Sequence, residues 1–250
     1  MILELKNLRK KFSNGRGIDG ISLSIMEGDI FGLLGANGAG KTTTMKIVAG
    51  LMTKNSGEVN VFGEPLEENF QSAMSRIGCL IETPAFYPYM TALGNLETAA
   101  RYYGAASDRA ALLDLLNIVR MLPYKNDKAG RFSQGMKQRL ALAMAMVGSP
   151  SFYVLDEPSN GLDIEGIIEI RNIILDMAQR QRATFLVSSH QSAEIQKLCN
   201  KVAVIHQGHV NGCAEMGWIL ENFPTLEDYY IYCVRGGNQG AGANLGERAF

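Results

Sequence analysis

IFGLLGANGAGKTTTMKIVAGL, residues 30–51, decides the fold of this chain. Its first five residues, 30–34, are apolar and predict a short buried parallel strand. A glycine-rich turn follows, and residues 42–51 then predict a helix. A buried strand that leads through glycines into a helix is typical of a parallel α/β sheet.

The turn matches the pattern G-x-x-x-x-G-K-[ST], in which backbone N–H groups and the N-terminus of the following helix surround phosphate oxygens. We expect Lys41 to reach the β- and γ-phosphates, Thr42 to bind Mg²⁺ and Thr43 to contact the α-phosphate. A glycine-rich turn that binds nothing would not need all these residues in register. The predicted phosphate-binding residues are Gly35, Ala36, Asn37, Gly38, Ala39, Gly40, Lys41, Thr42 and Thr43.

A second apolar strand, residues 152–155, ends in two adjacent carboxylates, Asp156 and Glu157. Adjacent side chains at a strand end point in different directions. One carboxylate can therefore face Mg²⁺ while the other faces a water molecule. We assign Asp156 to the metal and Glu157 to the general base that polarises the attacking water.

Strands and helices alternate along most of the chain, and a helical block interrupts them. We expect an ATPase core from residues 1–82 and 148–215, with a helical subdomain at 83–147. A C-terminal extension is predicted at 216–235, and a Gly-rich, poorly ordered tail at 236–250.

The composition is that of a globular protein, with 46% apolar and 20% charged residues. The net charge of -1 does not suggest a nucleic-acid-binding surface. The longest weakly polar stretch, residues 140–147, is shorter than the ~20 residues that span a bilayer. If the protein works at a membrane, we expect other chains to carry the spans.

The order of these motifs resembles that of the ABC ATPases. LDEPSNGLD, residues 155–163, is close to the family's Walker B motif and D-loop, and FSQGMKQRLALA, residues 132–143, resembles its signature motif. Ser188-Ser189-His190 matches the position of its switch histidine. The resemblance covers roughly residues 1–210.

The resemblance implies a P-loop NTPase (ABC ATPase) α/β core with a mostly parallel sheet, an N-terminal antiparallel β portion and an inserted helical subdomain. It implies ATP and Mg²⁺ as cofactors, Phe12 stacked on adenine, and His190 bonded to the γ-phosphate. It also implies a head-to-tail dimer, in which the signature helix of one subunit faces ATP on the other. The signature residues would be Ser133, Gln134, Gly135 and Met136, and the D-loop residues Asn160, Gly161, Leu162 and Asp163.

Ser133 is expected to cap the signature helix. Two departures from the family pattern matter. The usual SGGQ signature reads SQGM here, and the glutamine that normally touches Mg²⁺ is replaced by Glu82. Residues 81–96, IETPAFYPYMTALGNL, are similar to the "E-loop" of lantibiotic-immunity and bacitracin-resistance transporters. Glu82 is therefore a predicted metal ligand, although it could also be a neutral replacement.

We expect an ATP-hydrolysing subunit at the cytoplasmic face of the cell membrane, paired with a second such subunit and with one or two separate membrane-spanning permease chains. Its predicted role is export or membrane release of a peptide antibiotic. The alternatives are an ABC-2-type exporter of another drug or lipid, a soluble ABC ATPase acting on nucleic acid or ribosomes, and an unrelated P-loop enzyme such as a kinase. The aromatic residues Phe86, Tyr87 and Tyr89 could contact the permease or simply pack.

Overall fold

The structure is a computed structural model that describes residues 1–82, 86–103 and 108–236. The strands are β1 (Leu3–Lys11), β2 (Gly17–Ile25), β3 (Ile30–Leu34), β4 (Ser56–Val61), β5 (Glu64–Pro65), β6 (Ile77–Leu80), β7 (Phe152–Asp156), β8 (Thr184–Ser189), β9 (Lys201–His206) and β10 (His209–Glu215). The α-helices are α1 (Lys41–Val48), α2 (Phe70–Met74), α3 (Ala92–Tyr102), α4 (Arg109–Ile118), α5 (Gln134–Ala145), α6 (Ile164–Gln181), α7 (Ser192–Leu198), α8 (Met216–Asn222) and α9 (Leu226–Val234). From residue 237 onward, the predicted tail lies outside the described residues.

The central sheet has the strand order β10-β9-β3-β8-β7-β6. The five strands from β9 to β6 are parallel, and β10 closes one edge as an antiparallel hairpin with β9. The hairpin turns at Gly208, whose φ of +83° suits glycine. Because the carboxyl ends of parallel strands share one edge, the residues that follow β3, β6, β7 and β8 meet there.

Both faces of this sheet are covered. Along β3, Phe31 and Leu33 pack into one hydrophobic core, while Ile30 and Leu34 pack into the other. This alternation follows from the two-residue period of a strand. The run of apolar residues at 30–34 is continuous because neither face meets water.

The second sheet has the order β2-β1-β4-β5, and all its pairs are antiparallel. Leu3 and Leu5 of β1 share a core with Met45 and Val48 of α1. The predicted N-terminal antiparallel portion is therefore present, and it packs against the helix that follows the glycine-rich turn.

The helices α3, α4 and α5 lie between β6 and β7 in the chain, as the predicted helical block requires. Thr91 caps α3 and Asp108 caps α4 through side-chain oxygens that accept backbone N–H groups. Residues 83–85 and 104–107, within the predicted block, lie outside the described residues.

Several local predictions differ from the structure. The first helix ends at Val48 rather than near residue 51, because Gly50 has a φ of +68°. The elements β5 and α2 have two and five residues, too few to show a period in the sequence. The C-terminal extension forms two helices, with Pro224 between them and Thr225 capping the second.

Within the described residues, no helix combines the length and the apolarity that crossing a membrane requires.

Candidate functional site

The glycine-rich turn curls around the ammonium group of Lys41. Its Nζ donates to the carbonyl oxygens of Gly35, at 2.7 Å, and Ala36, at 3.3 Å. The lysine is only 4% exposed. Glycine is required at the end of the turn, because Gly40 has a φ of +117° and a Cβ there would lie 2.5 Å from Cγ2 of Ile18.

The start of α1 can accept an anion. Its N-cap is Gly40, which has no side chain to accept the unpaired N–H groups of the first turn. Those donors, the positive end of the helix and the buried Lys41 converge on one turn. This arrangement fits the phosphates of a nucleotide.

Asp156 stands opposite this turn, at the end of β7. Its carboxylate accepts hydrogen bonds from Thr42 Oγ1, at 2.8 Å, and from Ser188 Oγ, at 2.5 Å. The parallel pairing of β7 with β8 sets Asp156 beside Ser188. Thr42 and Asp156 together offer the hard oxygen ligands that Mg²⁺ prefers, so the donor set fits this ion.

The Glu157 carboxylate has different partners from that of Asp156 and lies between two basic groups. One carboxylate oxygen is 3.4 Å from Nζ of Lys41, and the other is 2.7 Å from Nδ1 of His190. Its backbone N–H donates to Ser188 Oγ. The residue has a φ of +47°, which is uncommon for a non-glycine residue. This turn separates the two adjacent carboxylates, as the sequence predicted.

Glu82, the predicted metal ligand, contacts a lysine of α1. It follows β6 and pairs with Lys46 of α1, with 2.5 Å between Oε1 and Nζ. Among the contacts recorded for the described residues, none joins Glu82 to Thr42 or Asp156. The structure thus brings Thr42 and Asp156 together and places Glu82 beside Lys46, which lies one turn further along α1.

The signature residues form the start of α5. Ser133 is the N-cap, and its Oγ accepts the N–H of Met136 at 3.3 Å, which confirms the predicted cap. Ser133 and Gln134 are exposed, whereas Gly135 and Met136 are partly covered.

The D-loop residues follow Pro158 and lead into α6. Asp163 caps this helix by accepting the N–H of Gly166 at 2.9 Å. Asn160 and Gly161 are exposed, and Leu162 is half-buried. The exposed D-loop continues into Ile164, which is 77% exposed.

Phe12 lies in the turn between β1 and β2, with the ammonium of Lys10 5.9 Å from its ring centroid. A cleft of about 680 Å³ opens beside this turn and includes Arg16, Ile18 and Gly38. Gly38 belongs to the glycine-rich turn, so the cleft adjoins the candidate phosphate site. Its volume suits the nucleoside part of a ligand.

The sequence had assigned no role to three residues. The Ser188 hydroxyl links the carboxylate of Asp156 to the backbone N–H of Glu157, and Lys46 pairs with Glu82. Asn95 is fully buried in α3, where its side chain bonds to both backbone groups of Tyr87 and to the carbonyl of Thr91. An asparagine on the apolar face of a predicted helix was the available signal, because a buried amide needs partners.

The family profile described as "ABC transporter" matches residues 18–160. The bacitracin transport ATP-binding protein BcrA of Bacillus licheniformis is 39% identical over 207 residues, which are 83% of this chain and 67% of that protein. The lantibiotic transport ATP-binding protein SrtF of Streptococcus pyogenes is 34% identical over 209 residues, 84% of this chain and 89% of that one.

A solved structure described as an ATP-binding subunit of an ABC transporter superposes with a TM-score of 0.82 at 27% identity. It covers 94% of this chain and all of the other. The phosphate-binding turn, the two carboxylates and these similarities agree with one another. The chain belongs to the ABC transporter family, as an ATP-binding and ATP-hydrolysing subunit.

Proposed function

We propose that this subunit hydrolyses Mg·ATP to drive separate membrane-spanning chains that export a peptide antibiotic or release it from the membrane. Similarity to a bacitracin and a lantibiotic transport ATP-binding protein carries the cargo assignment. The subunit itself binds and hydrolyses ATP, and its surfaces contact the chains that ATP hydrolysis drives.

In this proposal the glycine-rich turn and Lys41 hold the phosphates, with Thr43 on the α-phosphate and Phe12 against adenine. Thr42 and Asp156 hold Mg²⁺, which neutralises charge on the phosphates when bound. The buried ammonium of Lys41 and the hydrogen bond between Thr42 and Asp156 support these assignments. Glu82 is a candidate for a further interaction with the metal.

Glu157 serves as the general base. It orients the attacking water and accepts its proton, while His190 holds the carboxylate through Nδ1. The 2.7 Å contact between these side chains supports a shared role. His190 can also donate to the γ-phosphate, since its side chain is 35% exposed.

A second copy of the subunit completes the site by placing its signature helix over the γ-phosphate. The capped start of α5 directs free N–H groups outward, and Ser133 is exposed there. Near the exposed D-loop, Ile164 and Ile168 are 77% and 40% exposed. Such apolar exposure beside a polar loop suits a surface that a partner covers.

The membrane-spanning partner docks, in this proposal, on the aromatic surface formed by Tyr87, Tyr89 and Tyr102. These rings are 37%, 66% and 80% exposed. A hydrogen bond to Tyr102 raises the pKa of Tyr87. Asn95 fixes the backbone of the loop that carries Tyr87. Docking there would hold the subunit peripherally at the cytoplasmic face.

Two measurements test the proposal. Deleting the gene should sensitise the host to at least one bacteriocin or cell-wall-active peptide, and wild-type protein but not Glu157→Gln should restore resistance. Gentle purification from membranes should recover one or two polytopic proteins. Unchanged sensitivity to a peptide panel, with permeases still recovered, would favour another drug or lipid as cargo. Recovery of ribosomes or DNA in place of permeases would overturn the transport role.

A further inference from the structure

A basic side chain lies on the same face of α1 as the proposed metal ligand Thr42. Thr42 and Lys46 are four positions apart, a spacing that places side chains one above the other on a helix. At a rise of 1.5 Å per residue, about 6 Å separates them along the axis. The helix therefore carries the hydroxyl of Thr42, the proposed metal ligand, and one turn further the ammonium group of Lys46.

Glu82 approaches this helix from the sheet. β6 pairs in parallel with β7, with Leu80 opposite Leu155, so Glu82 leaves the sheet at the same edge as Asp156. Its Oε1 lies 2.5 Å from Nζ of Lys46. The side chain of Lys46 is 22% exposed and that of Glu82 is 60% exposed.

The backbone of Glu82 is also constrained. Its φ of +61° belongs to the left-handed region, which non-glycine residues rarely adopt. The ion pair and this backbone conformation together hold the carboxylate beside Lys46, which lies one helical turn from Thr42 along α1.

We propose that Lys46 is a positioning residue for Glu82, holding its carboxylate one turn from Thr42 and competing with Mg²⁺ for it. This inference rests on the proposed Mg·ATP site. A glutamine at position 82 would form no ion pair with Lys46, whereas the Glu82 carboxylate does. Lys46 supplies the compensating charge, and it sets how readily Glu82 reaches the metal.

Replacing Lys46 with an uncharged residue should free the Glu82 carboxylate to bind the metal. In Lys46→Met, the Mg²⁺ concentration for half-maximal binding of a fluorescent ATP analogue should fall about three- to tenfold. Lys46→Arg keeps the charge and should behave as wild type. Lys54→Met is the matched control, because it breaks a similar pair, between Lys54 and Glu67, elsewhere on the surface.

A double variant at Lys46 and Glu82 distinguishes an effect of Lys46 through Glu82 from a direct effect of its charge on the metal. In a Glu82→Gln background, Lys46→Met should leave the Mg²⁺ requirement unchanged. An equal shift in both backgrounds would mean that Lys46 acts on the metal directly and would overturn the inference. No shift in the single variant would also overturn it. Lys46→Gln, which keeps a polar helix-forming side chain, provides the same test if the methionine variant folds poorly.

Binding of the analogue by wild-type protein, measured with and without Mg²⁺, distinguishes failure of the proposed ATP site from failure of the positioning role of Lys46. If wild-type protein does not bind it under any condition, the proposed ATP site is wrong. If wild type binds it with normal Mg²⁺ dependence and the Lys46 variants do the same, only the positioning role is wrong.

Discussion

The carboxylate of Glu157 contacts His190 on one side, at 2.7 Å, and Lys41 on the other, at 3.4 Å. Two side chains from separate segments of the chain thus contact the carboxylate of a third. The arrangement fixes the direction of the proposed general base before any water is activated.

Glu157→Gln should lower the ATP hydrolysis rate about 100-fold or more, because an amide cannot accept the proton. ATP-dependent dimerisation should persist, since the amide still bonds to His190. Phosphate release and size-exclusion chromatography in ATP measure the two effects. Glu221→Gln, an exposed site on α8, is the control. Hydrolysis at the wild-type rate would contradict the assignment of Glu157.

His190→Ala should also slow hydrolysis, by about 10- to 1000-fold, because Glu157 loses the group that orients it. His206→Ala replaces a histidine at the end of β9 and should leave the rate unchanged. Steady-state ATPase kinetics compare the two variants. Equal hydrolysis rates for the His190→Ala and His206→Ala variants would show that the contact between His190 and Glu157 has no part in catalysis.

Ser133 has two roles that substitution can separate. Ser133→Ala should lose the cap of α5 and about 1 kcal/mol of stability. Ser133→Asp should retain the cap but repel the phosphates of ATP held by the second subunit. We therefore expect normal thermal unfolding for the aspartate variant together with loss of ATP-dependent dimerisation. A dimer of this variant in ATP would contradict the proposed trans contact.

Asn95→Ala should destabilise the aromatic loop, because it removes the acceptor of the Tyr87 N–H and one of the two donors to the Tyr87 carbonyl, the other being the N–H of Met90. The expected cost is about 1–3 kcal/mol, with reduced recovery of the permease. Asn126→Ala, at an exposed position, is the control for unfolding measurements.

Tyr89→Ala should leave the free energy of unfolding nearly unchanged, because the ring is 66% exposed. Recovery of the permease should fall if this ring belongs to the docking surface. Quantitative co-purification from membranes measures the effect. Wild-type recovery from both the Tyr89 and the Asn95 variants would remove this surface from the proposal.

The tertiary structure changed the interpretation of Glu82 and Asn95. In the sequence, Glu82 stands alone after a strand, and its distance from Lys46 depends on how β6 and α1 pack. Asn95 stands on the apolar face of a predicted helix, which signals a buried amide, but only the structure shows that this amide holds the loop at Tyr87. Such non-local pairings have no sequence period, so local patterns cannot reveal them.

The sequence by itself determined the strand–turn–helix around Lys41, the acidic end of β7 and the alternation of strands and helices. These features depend on local rules, namely apolar runs, glycine conformations and helix capping. Tertiary structure decided which groups meet: Ser188 with the Asp156 carboxylate and the Glu157 backbone, His190 with Glu157, and Lys46 with Glu82. Strand order and helix packing set these distances, because they join residues that lie 31 to 36 positions apart in the chain.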